Sequence, residues 1–288
     1  MRERDSYPPG VPCWVDTLQP DPDAAVAFYG GLFGWEFENR LPQDGDGAYF
    51  VAQLRGLDVA AVGGPARAGS PPVWNTYVAV DSADQAAARI ERAGGRVVSA
   101  PEDVLDAGRM GVFTDPAGAT FSVWEARKHI GAQLVNEPGS WNFSELNTRD
   151  TDEAARFYGE VFDWKIEGFE MGDVGYTIFH LAGYGDFLVK LNPELRKELA
   201  ANGASGSFAD AVAMLVRMTS DRYPDDAPAH WSITFAVEDA DATAARAVEL
   251  GGTVLVPPFD AEPVRMTVLA DPQGATFAAS KYQPTRRE

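Results

Sequence analysis

Short runs of alternating hydrophobic and polar residues fill most of the chain, interrupted by a few stretches with helical spacing. The first run, PCWVDTL (12–18), alternates residue by residue and predicts a strand with one buried face. Asp21 then stands where a helix cap is expected, with Pro22 at the first helical position. Ala25, Phe28, Tyr29 and Leu32 recur at helical spacing and form an apolar stripe. Strand-like runs follow at 47–54 and 58–63, and a new one starts at 74–80. A helix is predicted over 83–93, stopped by Gly94-Gly95. Strands are predicted near 96–99, 109–114 and 119–125, with DPAG as the turn between the last two. The order is strand, helix, then two or three strands, and it occurs twice in this part of the chain.

The same phrases return further on. DAAVAFYGGLFGW (23–35) is answered by DEAARFYGEVFDW (152–164), and at that shift of 129 Asp16 falls on Glu145. WNTYVAVDSAD (74–84) is answered by WSITFAVEDAD (231–241), and RMGVFTDPAGATFSVW (109–124) by RMTVLADPQGATFAAS (265–280), at a shift near 157. The chain therefore divides into a first domain at 11–127, a linker at 128–140 and a second domain at 141–283. Each domain holds two βαβββ units, four in all. The change of shift places about 30 extra residues between Leu191 and His230. NPELRKELAANG and SFADAVAMLVRMT both read as helices there, the second with Phe208, Val212, Leu215 and Val216 on one face, so a helical insert is expected at 192–228. An insert of this kind serves as a lid, an interface element or a plain surface hairpin.

Composition narrows the function classes. A chain of 288 residues with 45% hydrophobic content has room for two domains, each with its own core. Cys13 is the only cysteine, which excludes an internal disulfide and a thiolate zinc site. The opening MRERDSYPPG lacks the apolar core of a signal peptide, so a cytoplasmic protein is expected. A net charge of −19 repels phosphates and acidic lipid, which argues against nucleic acid or membrane as partner and for a small neutral or cationic ligand.

The FYGGLFGW phrase, the AVDSAD…GG phrase and DPAGATFSVW, present in both halves, resemble the vicinal oxygen chelate superfamily of glyoxalases, bleomycin-resistance proteins and extradiol dioxygenases. The resemblance implies an α+β fold: four βαβββ units forming two tandem half-open β-barrel domains, with the helical insert in the second. It also implies a ligand in each concave face and, in metal-using members, a divalent ion held by His and carboxylates. The family's ligand positions fall here on Trp14, Asn75, Ser122 and the strand near Val62, and in the second domain on Phe143, Ser232, Ala278 and near Val189. None of these binds a divalent ion well, so no metal and no cofactor are expected.

Residues two apart on a strand share a face. The first concave face is thus expected to hold Trp14, Asp16, Asn75, Tyr77, Thr120, Ser122 and Trp124, and the second Phe143, Glu145, Asn147, Ser232, Thr234, Thr276 and Ala278. Rings with hydroxyls and amides suit a flat, partly polar organic ligand, although aromatics also simply fill barrels. Asp16 and Glu145 are the candidate catalytic residues. A desolvated carboxylate makes a general base, while its repetition also fits a structural anchor. Arg109 and Arg265 repeat as well, and pairing with sheet-edge acids is expected of them. His129 lies in the linker and is expected at the surface.

Three functions follow from this lining. One is a metal-independent small-molecule binder of the bleomycin-resistance kind. Another is an enzyme of secondary or carbonyl metabolism working through Asp16 or Glu145. The third is a metal-dependent lyase, isomerase or dioxygenase with an off-register site at Glu145, His180 and His230. Either a monomer or a homodimer fits, since the covalent repeat supplies both halves of a paired site.

Overall fold

The computed structural model describes residues 3–41, 47–65, 71–171, 174–201 and 206–283. The first half runs β1 (Pro12–Leu18), α1 (Pro22–Phe33), β2 (Glu36–Asn39), β3 (Ala48–Leu54), β4 (Leu57–Gly64), β5 (Trp74–Ala79), α2 (Ala83–Arg92), β6 (Arg96–Val104), β7 (Gly108–Thr114) and β8 (Thr120–Ala126). The second half runs β9 (Trp141–Thr148), α3 (Thr151–Phe162), β10 (Lys165–Met171), β11 (Val174–His180), α4 (Tyr184–Leu191), α5 (Leu195–Ala201), β12 (Ala211–Arg217), β13 (His230–Ala236), α6 (Ala240–Glu249), β14 (Thr253–Ala261), β15 (Val264–Ala270) and β16 (Thr276–Tyr282). Each half forms one open eight-stranded mixed sheet, ordered β2-β3-β4-β1-β5-β8-β7-β6 and β10-β11-β12-β9-β13-β16-β15-β14. The two orders are the same when read by position in the repeat.

Local chemistry explains the helices. Asp21 caps α1 by accepting from the Ala24 N–H, and Pro22 opens the helix. Asp150 does the same for α3 through the Glu153 N–H. Both helices end on a left-handed residue, Gly34 in the first (φ 72°) and Asp163 in the second (φ 60°).

The insert differs from its sequence reading. Residues 211–217 form strand β12, not a helix, and β12 lies between β11 and β9 as β4 lies between β3 and β1. The extra residues therefore enter one connection earlier. Where the first half turns tightly from Leu54 to Leu57, the second carries α4, α5 and a 3-10 turn at Gly206–Asp210. AVAMLVR is an apolar run too short for periodicity to separate strand from helix, and its vacancy beside β9 decides. Val189, taken above as a strand position, lies on α4.

Each half does not own its core. One apolar cluster joins Val15, Phe28, Tyr29 and Trp74 of the first half to Phe235, Leu269 and Phe277 of the second. The other joins Val78, Ile90, Phe113 and Phe121 to Phe157, Tyr158, Phe179 and Trp231. Two tyrosines mark the exchange. The Tyr29 hydroxyl donates to Asp271 at 2.9 Å and accepts from the Trp74 indole at 3.0 Å. The Tyr158 hydroxyl donates to Asp115 at 3.1 Å and accepts from the Trp231 indole at 2.9 Å. Each DPxG aspartate also takes a backbone N–H of its own turn, from Ala119 or Ala275. The helix of one half is thus anchored in the last hairpin turn of the other. The sheets meet back to back at their centres, where Thr76 and Ser144 share a hydrogen bond of 2.8 Å, and their concave faces look outward.

Candidate functional site

Strand register tests which side chains share a concave face, because residues paired across neighbouring strands point the same way. In the first sheet Asp16 pairs with Asn75, Trp14 with Tyr77, Tyr77 with Ser122 and Ala79 with Trp124. In the second, Ser232 pairs with Glu145, and Thr234 with both Phe143 and Ala278. The structure therefore gathers both predicted sets. Thr120 and Thr276 stand exposed at the starts of their strands, away from the rest.

The first face is filled. Trp14, Asp16, Tyr77, Ser122 and Trp124 are all buried, and Asn75 is partly buried. Both oxygens of Asp16 are engaged: Oδ1 accepts from Asn75 Nδ2 at 2.9 Å, and Oδ2 from the hydroxyls of Tyr77 at 2.8 Å and Tyr49 at 3.0 Å. Tyr49 in turn accepts from the Trp14 indole at 2.9 Å. Burial raises the Asp16 pKa, and these three donors oppose the rise. The cover comes from the linker. His129, expected at the surface, is 15% exposed and sits edge-on against Trp14, ring centres 4.5 Å apart, and against Trp124. The Trp124 indole donates to the His129 carbonyl at 2.8 Å. Desolvation pulls the His129 pKa down to about 4, against the pull of Asp58 3.7 Å away, which is itself held by a bidentate Arg40. Trp124 also borders a shallow hollow of about 130 Å³ shared with Ser6, Tyr7 and Ile130.

The second face is different in its chemistry. Glu145 is partly exposed and accepts a described hydrogen bond from one group, the Thr234 hydroxyl, at 3.1 Å. Desolvation raises its pKa, and Thr234 alone opposes the rise. Beside it runs a polar relay: Tyr223 OH donates to Asn147 Oδ1 at 2.8 Å, and Asn147 Nδ2 donates to Ser232 Oγ at 2.9 Å. Ser232 is the residue paired with Glu145, so a hydroxyl whose oxygen already accepts stands next to the carboxylate. Met214 is the neighbour of Glu145 on the other side and, with Phe143, supplies partly exposed apolar surface. Tyr223 lies on an irregular loop that carries no motif, and pattern reading missed it. Its one signal is a lone aromatic among Asp and Pro residues in the loop before β13.

Glu145, His180 and His230 are not brought together. His180 pairs with Ala211 at the start of β12, and His230 pairs with Asn147 near the end of β9. Since β12 and β9 run parallel, the two histidines sit toward opposite ends of the sheet. His180 instead lies 3.8 Å from Glu167, which also accepts from Ser207, and His230 lies 3.0 Å from the Pro228 carbonyl. Among the described residues no group of three His, Cys, Asp or Glu is placed to hold an ion. The residues at which the resemblance places metal ligands, Trp14, Asn75, Ser122, Phe143, Ser232 and Ala278 among them, offer an indole, an amide, hydroxyls, a phenyl and a methyl group, a set that does not fit a divalent cation. Arg109 grips Asp84 and Asp103, and Arg265 grips Asp241 and Asp260 in the same way, which makes both structural clasps. Cys13 is fully buried in the apolar core.

Comparison with known proteins agrees with this frame. Residues 14–123 match the model of the glyoxalase/bleomycin resistance protein/dioxygenase superfamily, and residues 144–280 match that of a glyoxalase-like domain. The chain is 38% identical over 290 residues to CFP32 of Mycobacterium tuberculosis, provisionally named a glyoxylase, covering 99% of each. It is 36% identical to the anthracycline biosynthesis protein DnrV of Streptomyces peucetius, covering 94% of this chain and 93% of that one. Among solved structures, a Mn(II)-bound glyoxalase from Novosphingobium aromaticivorans superposes with a TM-score of 0.58 at 17% identity, over 97% of this chain and 86% of that one. The 2,3-dioxygenase LapB from Pseudomonas sp. KL28 gives 0.58 at 13% identity, over 95% and 92%. These structural likenesses carry the fold. Two family-model matches, full-length relatives and the paired open sheets together place the chain in the glyoxalase/bleomycin-resistance/dioxygenase, or vicinal oxygen chelate, superfamily.

Proposed function

We propose that this chain takes a flat aromatic carbonyl compound onto the concave face of its second domain and moves a proton with Glu145, without a metal ion. The observation that carries the reading is the contrast between equivalent carboxylates. Asp16 is saturated by three donors under a cover, while the partly exposed Glu145 accepts from Thr234 alone among the described side chains and keeps acceptor capacity. A carboxylate whose pKa is raised by desolvation is a stronger base once ionised. Proton loss next to a carbonyl puts negative charge on the carbonyl oxygen. The Ser232 hydroxyl, with its oxygen held by Asn147 and through it by Tyr223, is the donor placed to meet that charge. Phe143 and Met214 supply the apolar surface on which a ring lies. The similarity to DnrV, an anthracycline biosynthesis protein, supports a polycyclic aromatic ketone and a place in secondary metabolism. A small molecule is then the partner of a cytoplasmic monomer or homodimer, with no part for nucleic acid or membrane, in keeping with the charge of −19.

The test is turnover of polycyclic aromatic ketones by chelator-treated protein. The account expects activity to survive the chelator. Glu145→Gln should lower kcat by about 10²–10⁴-fold while binding stays within about threefold. Binding by both proteins with no turnover by either would leave a binder and remove the proton-transfer step. Activity that vanishes with chelator and returns with a divalent ion would overturn the metal-free reading.

A further inference from the structure

A second cavity, of about 150 Å³, lies where four separate parts of the chain meet: the N-terminal segment, the linker, the start of β9 and the inserted helices. Its wall is aromatic and aliphatic, with Tyr7, Trp141, Phe143, Tyr184, Leu188 and Leu199 among its residues. A volume of this size holds one benzene ring. The chain contains 43 Asp and Glu residues, yet none of them lines the cavity. Arg4 does line it.

Two donors in that wall have no acceptor. Trp141, 5% exposed, leaves its indole N–H unpaired, and the buried Nε–H of Arg4 is also unpaired. Buried donors without partners are costly, about 1–3 kcal/mol each, and few survive in a folded protein without a use. Arg4 is held in place through its backbone. Its backbone N–H donates to the Gln133 carbonyl at 2.8 Å, the neighbouring Glu3 bridges to Leu134, and Tyr184 lines the same cavity. A cation beside a ring-sized aromatic wall that carries no carboxylate defines a ligand with a ring and a negative charge.

We infer that this cavity binds a ring-sized aromatic carboxylate. Its ring stacks among Tyr7, Phe143 and Tyr184, and its carboxylate pairs with the Arg4 guanidinium. The insert is what makes the site, because α4 and α5 close the side that the tight Leu54–Leu57 turn leaves without a counterpart in the first half. The site adjoins the Glu145 face through Phe143 but uses neither Glu145 nor Ser232, so it goes beyond the function proposed above.

The test is a titration of the full-length protein with benzoate, read on the indole N–H resonance of Trp141. That resonance is assigned by its loss in Trp141→Phe. A saturable shift with a Kd of about 1 mM or tighter is expected. Benzyl alcohol, which has the ring without the charge, and acetate, which has the charge without the ring, should each bind at least about tenfold more weakly. Arg4→Gln should weaken benzoate by about tenfold or more. Should Trp141→Phe fail to fold, calorimetry on Arg4→Gln and the wild type carries the comparison. Glu145→Gln should leave benzoate affinity within about twofold, which separates failure of this site from failure of the Glu145 reading. An unmoved Trp141 resonance, or equal benzoate affinity in Arg4→Gln and wild type, would overturn the inference.

Discussion

At the scale of single residues, Asp16 and Glu145 occupy one position of the repeat and meet different surroundings. Asp16→Asn keeps acceptors for Tyr49 and Tyr77 but turns an amide toward the Asn75 amide. It should cost about 1–3 kcal/mol in denaturant unfolding and leave turnover unchanged, the opposite of Glu145→Gln. His129 adds a pH dependence of definite sign. The unfolded ring takes a proton near pH 6.5, while the folded ring resists until about 4. The unfolded state therefore binds more protons between these values. Stability is full above about pH 6.5 and is lost as pH falls toward 4. From pH 7 to 5 the wild type should lose about 2 kcal/mol more than His129→Phe. The raised Asp16 and Glu145 carboxyls act in the opposite direction, since stability from a raised pKa is lost as pH rises, and the comparison with the variant removes them. Equal losses in the two proteins would remove His129 as the cause. The co-facing sets around Asp16 and Glu145 were legible in the sequence, because strand parity alone assigns them. The burial of His129 was not, because Trp14 and Asp58, which pack on it with Trp124, lie far away in sequence and leave no local pattern.

At the scale of elements, caps and turns read well from sequence because each rests on a few adjacent residues. Asp21-Pro22, Asp150 and the two DPxG turns are all where their side-chain chemistry puts them. Strand β12 did not read well. Its apolar run suits either period, and what decides is the empty lane beside β9, a partner almost 70 residues upstream in sequence (for example Leu215 beside Leu146). The insert was legible as an insertion, from the changed repeat shift, but was placed too late in the chain. One terminus still carries strain. Asp163 holds the left-handed position that Gly34 fills in the first half, where a Cβ is disfavoured. Asp163→Gly should raise stability by about 0.5–1 kcal/mol in thermal or urea unfolding, and a loss of stability would show that its side chain does more than end the helix.

At the scale of the whole molecule, the repeat is legible in sequence but the exchange of cores is not. An apolar stripe on α1 looks the same whether it packs on its own sheet alone or also meets the other half. In the fold, Phe28 and Tyr29 join Phe277, and Phe157 and Tyr158 join Phe121. Neither half then has a complete core, so residues 1–127 expressed alone should be unfolded, and the intact chain should unfold in a single transition. Two separated transitions would contradict the shared cores. The same near-symmetry frames the functional claim. Two matching faces have diverged, one closed by the linker and the other left with a partly exposed carboxylate that accepts a single described side-chain hydrogen bond. The most direct test is carboxyl-carbon NMR of Asp16 and Glu145, each assigned by its amide variant, during titration with an aromatic ketone substrate. The account predicts that the Glu145 resonance moves and saturates while Asp16 stays fixed. A saturating shift at Asp16 with Glu145 unmoved would contradict it.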